Sequence, residues 1–442
     1  MQWNETTYSG WGRVLSATAP MARPERHAAI SQLVSDCDHI LAVGNLRSYG
    51  DAALVENGRA LSTVRLDRLI EFDAENGLLE AEPGITLGEI LRVFGPKGWM
   101  PAVLPGTGMT TLGGAIANDV HGKNHHTAGS FGQHVECLTL MTADGKARII
   151  SPETEPELFR ATVGGVGQSG VVTAATIRLA QCKSTSMRVK ERRITGLTDF
   201  LAAFETSQSP FHVGWIDALA KGEDLGRGVF EEADFDHSDQ KPIPDRPAKS
   251  LPPLPTSLGV RPPFVRAFNA AYWRRVPEKG RRVSRPIGKF FFPLDKLSDW
   301  NRVYGKGGFH QFQCVVPPTD AETSLRLLLK TISDFGIASP LAVLKRLGAG
   351  RAGHLSFPME GYTLAVDFPN RDGVIPLLER LTNITRDLNG RIYLAKDSNM
   401  SAETMANMYP ELPEYQATVA KADPDQKFRS VMSERLNLRG AA

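Results

Sequence analysis

Alternating apolar and polar residues predict short strands and short helices in the first part of the chain. Val135–Thr142 and Lys146–Ile150 are alternating or apolar runs on either side of Ala143-Asp-Gly145, which is typical of a β-hairpin. Leu87–Phe94 instead places apolar residues at helical spacing, and Thr86 stands where an N-cap is expected. Short elements of both types favour an α+β arrangement.

Longer amphipathic helices are predicted in the second part of the chain, at Ala321–Phe335 and Val374–Leu388. Strands are predicted between these helices at 340–345 and 362–368. A further strand is predicted at Lys289–Leu294, where three phenylalanines follow one another. This layering predicts an antiparallel sheet covered by helices.

One predicted strand, Phe309–Val316, carries two glutamines at alternate positions. Because side chains in a strand alternate between its faces, Gln311 and Gln313 lie on the same face. Polar residues on one face of a strand contact either solvent or a ligand. The apolar residues around this strand favour a face that contacts substrate.

The composition is that of a globular protein long enough for two domains, but its charge is unevenly distributed. The 442 residues are 41% hydrophobic and 23% charged, and a formal net charge of +2 gives no general attraction for nucleic acid. Residues 241–290 hold twelve Lys and Arg against two Asp and Glu, with ten of the 29 prolines. We expect mobile loops at about 236–286, where little apolar surface is available for burial.

The aromatic residues of this basic segment, mainly Phe264–Trp273, leave two interpretations open. Anionic head groups attract Lys and Arg, so the segment is compatible with a peripheral contact to a membrane. The alternative is a linker that is simply solvated.

The four cysteines indicate neither a disulfide framework nor a structural zinc site. Cys37, Cys137, Cys182 and Cys314 are widely separated and form no CxxC pair, so no metal site is predicted. The first residues lack the basic and apolar regions of a signal peptide, and no window is apolar enough for a transmembrane helix. We therefore expect a cytoplasmic protein.

Two glycine-rich segments interrupt the predicted elements. Gly44–Asp51 follows the apolar run Ile40–Val43, and residues 104–134 hold seven glycines and four histidines. Glycine lacks the Cβ that would block a ligand, so such segments bring backbone N–H groups close to phosphate. A structural turn explains most isolated glycine clusters, but two of them favour a nucleotide site. No Gly-x-Gly-x-x-Gly follows the first strand, which disfavours a Rossmann site.

The order and spacing of these motifs resemble the FAD domain, of PCMH type, of the vanillyl-alcohol-oxidase-type flavoproteins. The matching segments are residues 44–51, Leu104–Thr107, Gly113–Ala117 and Gly164–Val171. Arg47–Asp51 and His121–Gly132 are further similar to the group within this superfamily that oxidises polyprenyl-phosphoryl ribose. The resemblance runs from about residue 10 to the C-terminus and is weakest over 236–286.

This resemblance implies an α+β fold with two domains. An FAD-binding domain is expected over 1–185. A substrate-binding domain with an antiparallel sheet covered by helices is expected over 186–390, and the segment 391–442 is expected to return to the FAD domain. The resemblance also implies that FAD is bound without a covalent bond to the chain.

The resemblance assigns roles to individual residues. The implied FAD contacts are Ala42, Val43, Gly44, Asn45, Leu46, Arg47, Ser48, Tyr49, Gly50, Asp51, Ala52, Gly106, Thr111, Leu112, Gly113, Gly114, Asn118, Asp119, Val120, His121, Val172 and Tyr393. The implied substrate pocket contains Tyr49, His121, Lys123, Gln311, Gln313, Lys345, Ala365 and Lys396. Ala365 stands where related proteins carry a cysteine that reactive inhibitors capture, so this chain is expected to escape such capture.

A flavin that oxidises an alcohol needs a partner for the hydroxyl proton, and the candidates are Lys396 and His121. A lysine that loses its hydration beside a flavin can be unprotonated near neutral pH, or can stay charged and polarise the hydroxyl. Most lysines are merely solvated. The resemblance nevertheless favours Lys396 as the catalytic residue, because the family's essential lysine lies in the same Tyr-x-Ala-Lys-Asp context.

The activity implied by the resemblance is oxidation of the 2'-hydroxyl of a polyprenyl-phosphoryl-β-D-ribose to the 2'-keto sugar. This is the first half of an epimerisation that leads to the arabinose donor for cell-envelope glycans. A separate NAD(P)H-dependent keto-reductase is the implied partner.

Two alternatives remain open. The first is a sugar-alcohol or aldonolactone oxidase of the same fold, although such enzymes typically carry a His-Trp-x-Lys motif near the C-terminus that this chain lacks. The second is a flavin-free binding protein that has kept the fold. The intact segments Arg47–Asp51 and His121–Gly132, together with Lys396, speak against the second alternative.

Overall fold

Two sheets form the first part of the chain in the computed structural model, which describes residues 2–238, 249–252 and 258–440. The first sheet has the order β1-β2-β4-β3 and contains β1 (Asn4–Ser9), β2 (Ser16–Ala22), β3 (Ile40–Val43) and β4 (Arg59–Ser62). The second has the order β5-β6-β10-β8-β9, with β7 also paired to β10. It contains β5 (Leu69–Asp73), β6 (Leu78–Ala81), β7 (Trp99–Pro101), β8 (Val135–Met141), β9 (Ala147–Ile150) and β10 (Val171–Gln181).

Short helices connect and cover these strands. They are α1 (His27–Ser35), α2 (Leu87–Phe94), α3 (Leu112–Ala117), α4 (His125–Ala128) and α5 (Pro156–Thr162). The predicted cap of α2 is confirmed, because the Thr86 side chain accepts a hydrogen bond from Glu89 N at 3.2 Å. The predicted hairpin is confirmed as the antiparallel pair β8 and β9.

A long antiparallel sheet organises the second part of the chain. Its order is β15-β11-β13-β12-β18-β19-β17-β20, while β14 and β16 pair with each other elsewhere. The strands are β11 (Ser186–Ile194), β12 (Phe211–Ile216), β13 (Gly228–Phe235), β14 (Lys249–Ser250), β15 (Arg281–Pro286), β16 (Leu297–Ser298), β17 (Phe309–Val316), β18 (Ala342–Leu347), β19 (Gly361–Pro369) and β20 (Arg391–Ile392).

The two faces of the long sheet differ in chemistry. Phe312, Cys314 and Val316 of β17 are buried in one hydrophobic cluster with residues of two helices. Those helices, α9 (Ala321–Phe335) and α10 (Val374–Asp387), lie where the sequence predicts them. Burial of each large aliphatic side chain contributes about 1.5–3 kcal/mol. The opposite face of β17 carries Gln311 and Gln313, so the apolar face anchors the strand and the polar face is available for binding.

Further helices complete the structure, namely α6 (Leu197–Thr206), α7 (Pro262–Arg274), α8 (Ile287–Phe291), α11 (Ala402–Met408), α12 (Leu412–Ala422) and α13 (Val431–Arg435). The segment after β20 packs back on the first part of the chain, since α12 contacts α5. Within the three described ranges, no helix combines the length and the apolar character that crossing a bilayer requires.

The expected mobile loop at about 236–286 is wrong for the residues from 258 onward. That part contains helix α7 and strand β15, which pairs with β11 at the edge of the long sheet. Val265 and Asn269 of α7 are buried. Residues 239–248 and 253–257 lie outside the described residues.

A buried carboxylate explains why this basic segment is ordered. Glu191 on β11 is fully buried and forms ion pairs with Arg275, Arg281 and Arg285. Burial alone would raise the pKa of Glu191, but hydrogen bonds from Arg281 and Arg275 help to hold it below its ordinary value. The arginines therefore pair with an acid that is distant in sequence, which local composition does not reveal.

The strand predicted at Lys289–Leu294 is also wrong, because residues Ile287–Phe291 form helix α8. Phe290 and Phe291 are both buried and both contact the ring of Phe211, at centroid distances of 6.2 and 5.2 Å. A strand would place these neighbours on opposite faces. Tertiary packing of the aromatic rings therefore overrides their β-propensity.

Candidate functional site

The loop after β3 and the loop after β20 contact each other. Tyr49 N donates a hydrogen bond to Ala395 O at 2.8 Å, and Lys396 Nζ lies 3.7 Å from the centroid of the Tyr49 ring. A cation or an amine over an aromatic face is attracted by the ring electrons. The first glycine-rich segment and the candidate catalytic lysine are therefore held together.

An arginine near the end of the described chain locks these two loops. Arg435 donates two hydrogen bonds, each 2.8 Å long, to the carboxylate of Asp51, and a third of 2.8 Å to Asp397. Both carboxylates are buried. Burial alone would lower the pKa of Arg435, but the two carboxylates raise it well above its usual range. The charge network therefore fixes the residues on either side of the site.

The second glycine-rich segment presents open backbone. Thr111 caps α3 by accepting a hydrogen bond from Gly114 N at 3.2 Å. A Cβ built on Gly106 meets no atom of the described residues within 4 Å, and one built on Gly114 meets only Thr111 Oγ1, at 3.0 Å. The main chain is thus accessible to a ligand at these two glycines.

A buried acceptor without a donor also fits a bound nucleotide. Asn118 Nδ2 donates to Gly114 O at 2.8 Å, but Asn118 Oδ1 is buried and has no hydrogen-bond partner in the described structure. An unsatisfied buried polar group costs about 1–3 kcal/mol. FAD carries several hydroxyl and N–H donors and exposed phosphates, so open glycines and an unpaired acceptor suit this cofactor.

His121 connects the glycine-rich segment to the long sheet. Gln313 Nε2 lies 2.9 Å from His121 Nε2, and Lys345 Nζ lies 3.4 Å from His121 Nδ1. Burial lowers the pKa of His121 well below 6.5, and Lys345 lowers it further, so the ring is neutral. With Gln313 Nε2 as donor, His121 Nε2 accepts and the ring proton is on Nδ1.

Three buried or half-buried lysines converge on the site with lowered pKa values. Burial lowers the pKa of Lys396 to about 7, with Asp367 raising it and Lys345 lowering it. Burial likewise lowers the pKa of Lys345 to about 7. Lys123 has its pKa lowered by burial to about 8, and it contacts the carbonyl of Phe290 and the ring of that residue. Amines of this kind exchange protons near neutral pH.

Asp367 provides a carboxylate for this group of lysines. It is fully buried on β19, where Gln311 Nε2 donates to it at 2.5 Å and Tyr304 Oη donates at 3.0 Å. Burial raises its pKa to about 7, while these hydrogen bonds and Lys396 oppose the increase. Asp367 and Lys396 therefore titrate in the same pH range.

The strand register explains how these groups meet. Gln311 pairs with Asp367 and Gln313 with Ala365 across β17 and β19, and Lys345 pairs with Thr363 across β18 and β19. Residues directly opposite each other in antiparallel strands share a face. The polar side chains thus form one surface of the sheet, which His121 covers.

The structure brings the predicted substrate residues together, namely Tyr49, His121, Lys123, Gln311, Gln313, Lys345, Ala365 and Lys396. Several of the residues predicted to contact FAD have side chains that pack inside the protein. Val43, Ala52, Leu112 and Val120 are buried in hydrophobic clusters, which leaves their main chain for a ligand. Asp119 is fully buried, and its carboxylate accepts hydrogen bonds from Gly132 N at 2.7 Å and Ser356 Oγ at 2.5 Å. The side chain of Asp119 therefore supports the fold.

Sequence reasoning missed several residues of this site. Asp367 and Thr363 approach through strand pairing, and Thr363 accepts a hydrogen bond from Gln313 at 3.1 Å. Tyr304 lies in a short helical turn before β17 and donates to Asp367. Arg435 lies 384 residues after its partner Asp51. A detectable signal was the aspartate in the otherwise apolar run of β19, since a charged residue there needs partners.

Comparisons with known proteins agree with this geometry. Residues 19–151 match the model of the FAD binding domain family. The chain is 34% identical to the decaprenylphosphoryl-beta-D-ribose oxidase of Mycolicibacterium smegmatis, over 97% of each chain. It is 33% identical to an uncharacterised Streptomyces coelicolor protein, over 80% of this chain and all of that protein.

A more distant similarity concerns the alternative function. The D-arabinono-1,4-lactone oxidase of Yarrowia lipolytica is 26% identical over 39% of this chain and 34% of its own length. That overlap is too short to describe the whole chain. The chain contains an FAD-binding domain within an α+β fold. The match over nearly the entire length shows that this chain belongs to the decaprenylphosphoryl-β-D-ribose oxidase family of FAD-dependent oxidoreductases.

Proposed function

We propose that this protein oxidises the 2'-hydroxyl of a polyprenyl-phosphoryl-β-D-ribose to the corresponding ketone. The observation that carries the proposal is the position of the Lys396 amine, 3.7 Å from the Tyr49 ring and beside a sheet face that carries Gln311, Gln313 and Lys345. The named activity of the Mycolicibacterium smegmatis relative supports the same substrate class. When bound, FAD supplies the acceptor for the hydride of the carbinol carbon.

The proton of the hydroxyl is assigned to Lys396. An amine with a pKa of about 7 is unprotonated in a large fraction of molecules at neutral pH and accepts a proton from an alcohol within hydrogen-bond reach. Asp367, with its pKa raised to about 7, stabilises the ammonium that forms. His121 stays neutral and positions the sugar together with Gln313.

We propose that the two glycine-rich segments contact FAD. The main chain at Gly106 and Gly114 faces the cofactor, Asn118 Oδ1 accepts from it, and Tyr393 holds Asn118 by donating to its carbonyl at 3.1 Å. The domain limits proposed for this arrangement are 1–185, 186–390 and 391–442. They are supported by the start of β11 at Ser186 and by the return of the Lys396 loop to Tyr49.

A test compares two substrates on the FAD-loaded protein. A prenyl-phosphoryl ribose and a free alditol are each offered with a dye acceptor, and dye reduction is followed. The proposal expects reduction with the prenyl-phosphoryl ribose. Reduction with the alditol alone would instead favour the sugar-alcohol oxidase alternative, and a protein that does not bind FAD would contradict both.

The keto sugar formed here requires a second enzyme if an epimer is to be made. Reduction from the opposite face of the ketone inverts the carbon, so we assign that step to a separate NAD(P)H-dependent keto-reductase. Addition of such a reductase and NADPH to the oxidase reaction is expected to yield the arabinose derivative. Accumulation of the keto sugar with unchanged NADPH would contradict this partnership.

We further propose that α7 contacts the membrane that contains the lipid-linked substrate. Phe264 and Phe268 are 60% and 49% exposed and lie one helical turn apart, with Arg261, Arg266 and Arg274 on the same helix or at its start. Basic residues and exposed aromatic rings suit an anionic bilayer surface. Sedimentation with anionic vesicles should fall for the double variant Phe264→Ser, Phe268→Ser. Ile149→Ser, which alters an exposed residue on β9, should leave it unchanged.

A further inference from the structure

A cavity of about 460 Å³ lies beside the first glycine-rich segment. It is bounded by the end of β1 and the residues that follow it, by that glycine-rich segment, and by the turn before β17. Its charged and amide lining residues are Arg13, Asn45, Arg47, Asp299, Asn301, Arg302 and Lys306. Four cationic side chains therefore surround the cavity, against one carboxylate.

The protein neutralises only part of this charge. Arg302 forms an ion pair with Asp299 at 3.3 Å. Arg47 Nε is buried and has no hydrogen-bond partner in the described part of the chain. Across the described ranges, neither Arg13 nor Lys306 forms an ion pair or a side-chain hydrogen bond. Uncompensated positive charge that lines a cavity attracts an anion.

Aromatic and amide contacts hold the cavity in shape. The guanidinium of Arg47 lies 4.2 Å from the centroid of the Trp11 ring, which fixes its plane. Asn301 Nδ2 donates to Trp11 O at 2.9 Å and so connects the turn before β17 to the strand that precedes the cavity. A planar guanidinium of fixed orientation, with unused N–H groups, suits the oxygens of a phosphate.

The cavity is close to the reacting groups. Arg47 and Tyr49 are separated by one residue, so their Cα atoms lie at most about 7 Å apart. The ring of Tyr49 in turn lies 3.7 Å from Lys396 Nζ. Tyr49 thus contacts the proposed site of proton transfer and is joined through the chain to Arg47 of the cavity.

We propose that this cavity is a binding subsite for a phosphate group, and that it takes the phosphodiester of the prenyl-phosphoryl sugar oxidised beside Lys396. That the phosphate belongs to the sugar substrate rests on the proposed function. That the cavity binds a phosphate is inferred from its lining residues alone. The other phosphate group that could occupy this cavity is the pyrophosphate of FAD. Arg13, Arg47 and Lys306 bind the phosphate, and the sugar extends from it past Tyr49.

The first test uses FAD-loaded variants that leave the residues around Lys396 intact. Arg13→Ala and Lys306→Ala are each expected to raise the KM for prenyl-phosphoryl ribose about tenfold, with kcat unchanged. Each variant removes a contact that binds the substrate equally well in the ground state and in the transition state. Lys421→Ala is the matched control. It removes one positive charge from an exposed position on α12 outside the cavity, and its KM should equal that of the unaltered protein.

The second test needs no turnover. Titration of the FAD-loaded protein with farnesyl phosphate should show binding that weakens about tenfold in Arg13→Ala and in Lys306→Ala, and not in Lys421→Ala. If this result is obtained but the unaltered protein does not oxidise prenyl-phosphoryl ribose, the subsite stands and the proposed function fails.

Two results would overturn the inference. Farnesyl phosphate binding that is undetectable, or equal in all four proteins, would show that the cavity binds no prenyl phosphate. A fall of FAD affinity in the Arg13 and Lys306 variants, with KM unchanged, would assign the cavity to the pyrophosphate of the cofactor.

Discussion

The glycine-rich segments and the long sheet contribute to the site in opposite ways. Around Gly106 and Gly114 the protein offers main chain, and the absence of side chains is the useful feature. On β17, β18 and β19 it offers side chains, and the strand register is the useful feature. Removing a side chain should therefore damage the sheet region, and adding one should damage the glycine-rich region.

The largest effect that would test this contrast is expected on the sheet side of the site. Lys396→Ala removes the proton acceptor, and loss of such a group typically slows a reaction 10²- to 10⁴-fold, so we expect flavin reduction by substrate to fall about a thousandfold. FAD content should be unchanged. Stopped-flow measurement of flavin bleaching checks the rate. Reduction at the normal rate would remove Lys396 from the mechanism.

A second variant tests the connection between the two regions. Arg435→Leu leaves Asp51 and Asp397 buried without their partner, and breaking a buried ion pair in this way costs about 3–5 kcal/mol. We expect the free energy of unfolding to fall by that amount and FAD to be retained poorly. Urea denaturation measures the first effect. Arg386→Leu alters an exposed ion pair on α10 and should cost less than about 1 kcal/mol.

The third variant adds a side chain to the glycine-rich region. Gly106→Val should weaken FAD binding about a hundredfold, because the new side chain would clash with the bound cofactor. It would clash with no described protein atom, since none lies within 4 Å of a Cβ at this position. The melting temperature of the FAD-free protein should be unchanged. Gly196→Val is the matched control, since a Cβ there also meets no described atom within 4 Å and its φ of −153° suits valine. Equal FAD affinity in both variants would show that Gly106 does not face the cofactor.

The smallest expected effect concerns pH. Lys396, with its pKa lowered to about 7, loses its proton as the pH rises through 7, so flavin reduction should increase with pH and level off above that value. Asp367 raises the pKa of Lys396. Asp367→Asn should therefore move the rise in rate to lower pH by about one unit, which corresponds to a change of about 1.4 kcal/mol in the free energy of deprotonating Lys396. If the rise in rate moved to higher pH instead, Asp367 would not be stabilising the protonated form of Lys396 by its charge.

The contrast also explains what the sequence could and could not predict. Glycine patterns are local, so the segments at 44–51 and 104–134 were recognisable, as were α2, α9 and the β8–β9 hairpin. Strand β11 was not, because Arg188, Lys190, Arg192 and Arg193 give it a charged appearance and its buried Glu191 is paired with distant arginines. The proximity of Asp367 to Lys396 depends on strand pairing, which local patterns do not determine.

The bond from Arg435 to Asp51 sets an order of events during synthesis. A ribosome releases the chain from the N-terminus, so the loop that contains Asp51 emerges 384 residues before the arginine that neutralises it. Until then the carboxylate of Asp51 must stay hydrated, and the Lys396 loop lacks the hydrogen bond from Arg435 to Asp397. The charge network around Asp51 and Asp397 is therefore complete only after translation has passed residue 435.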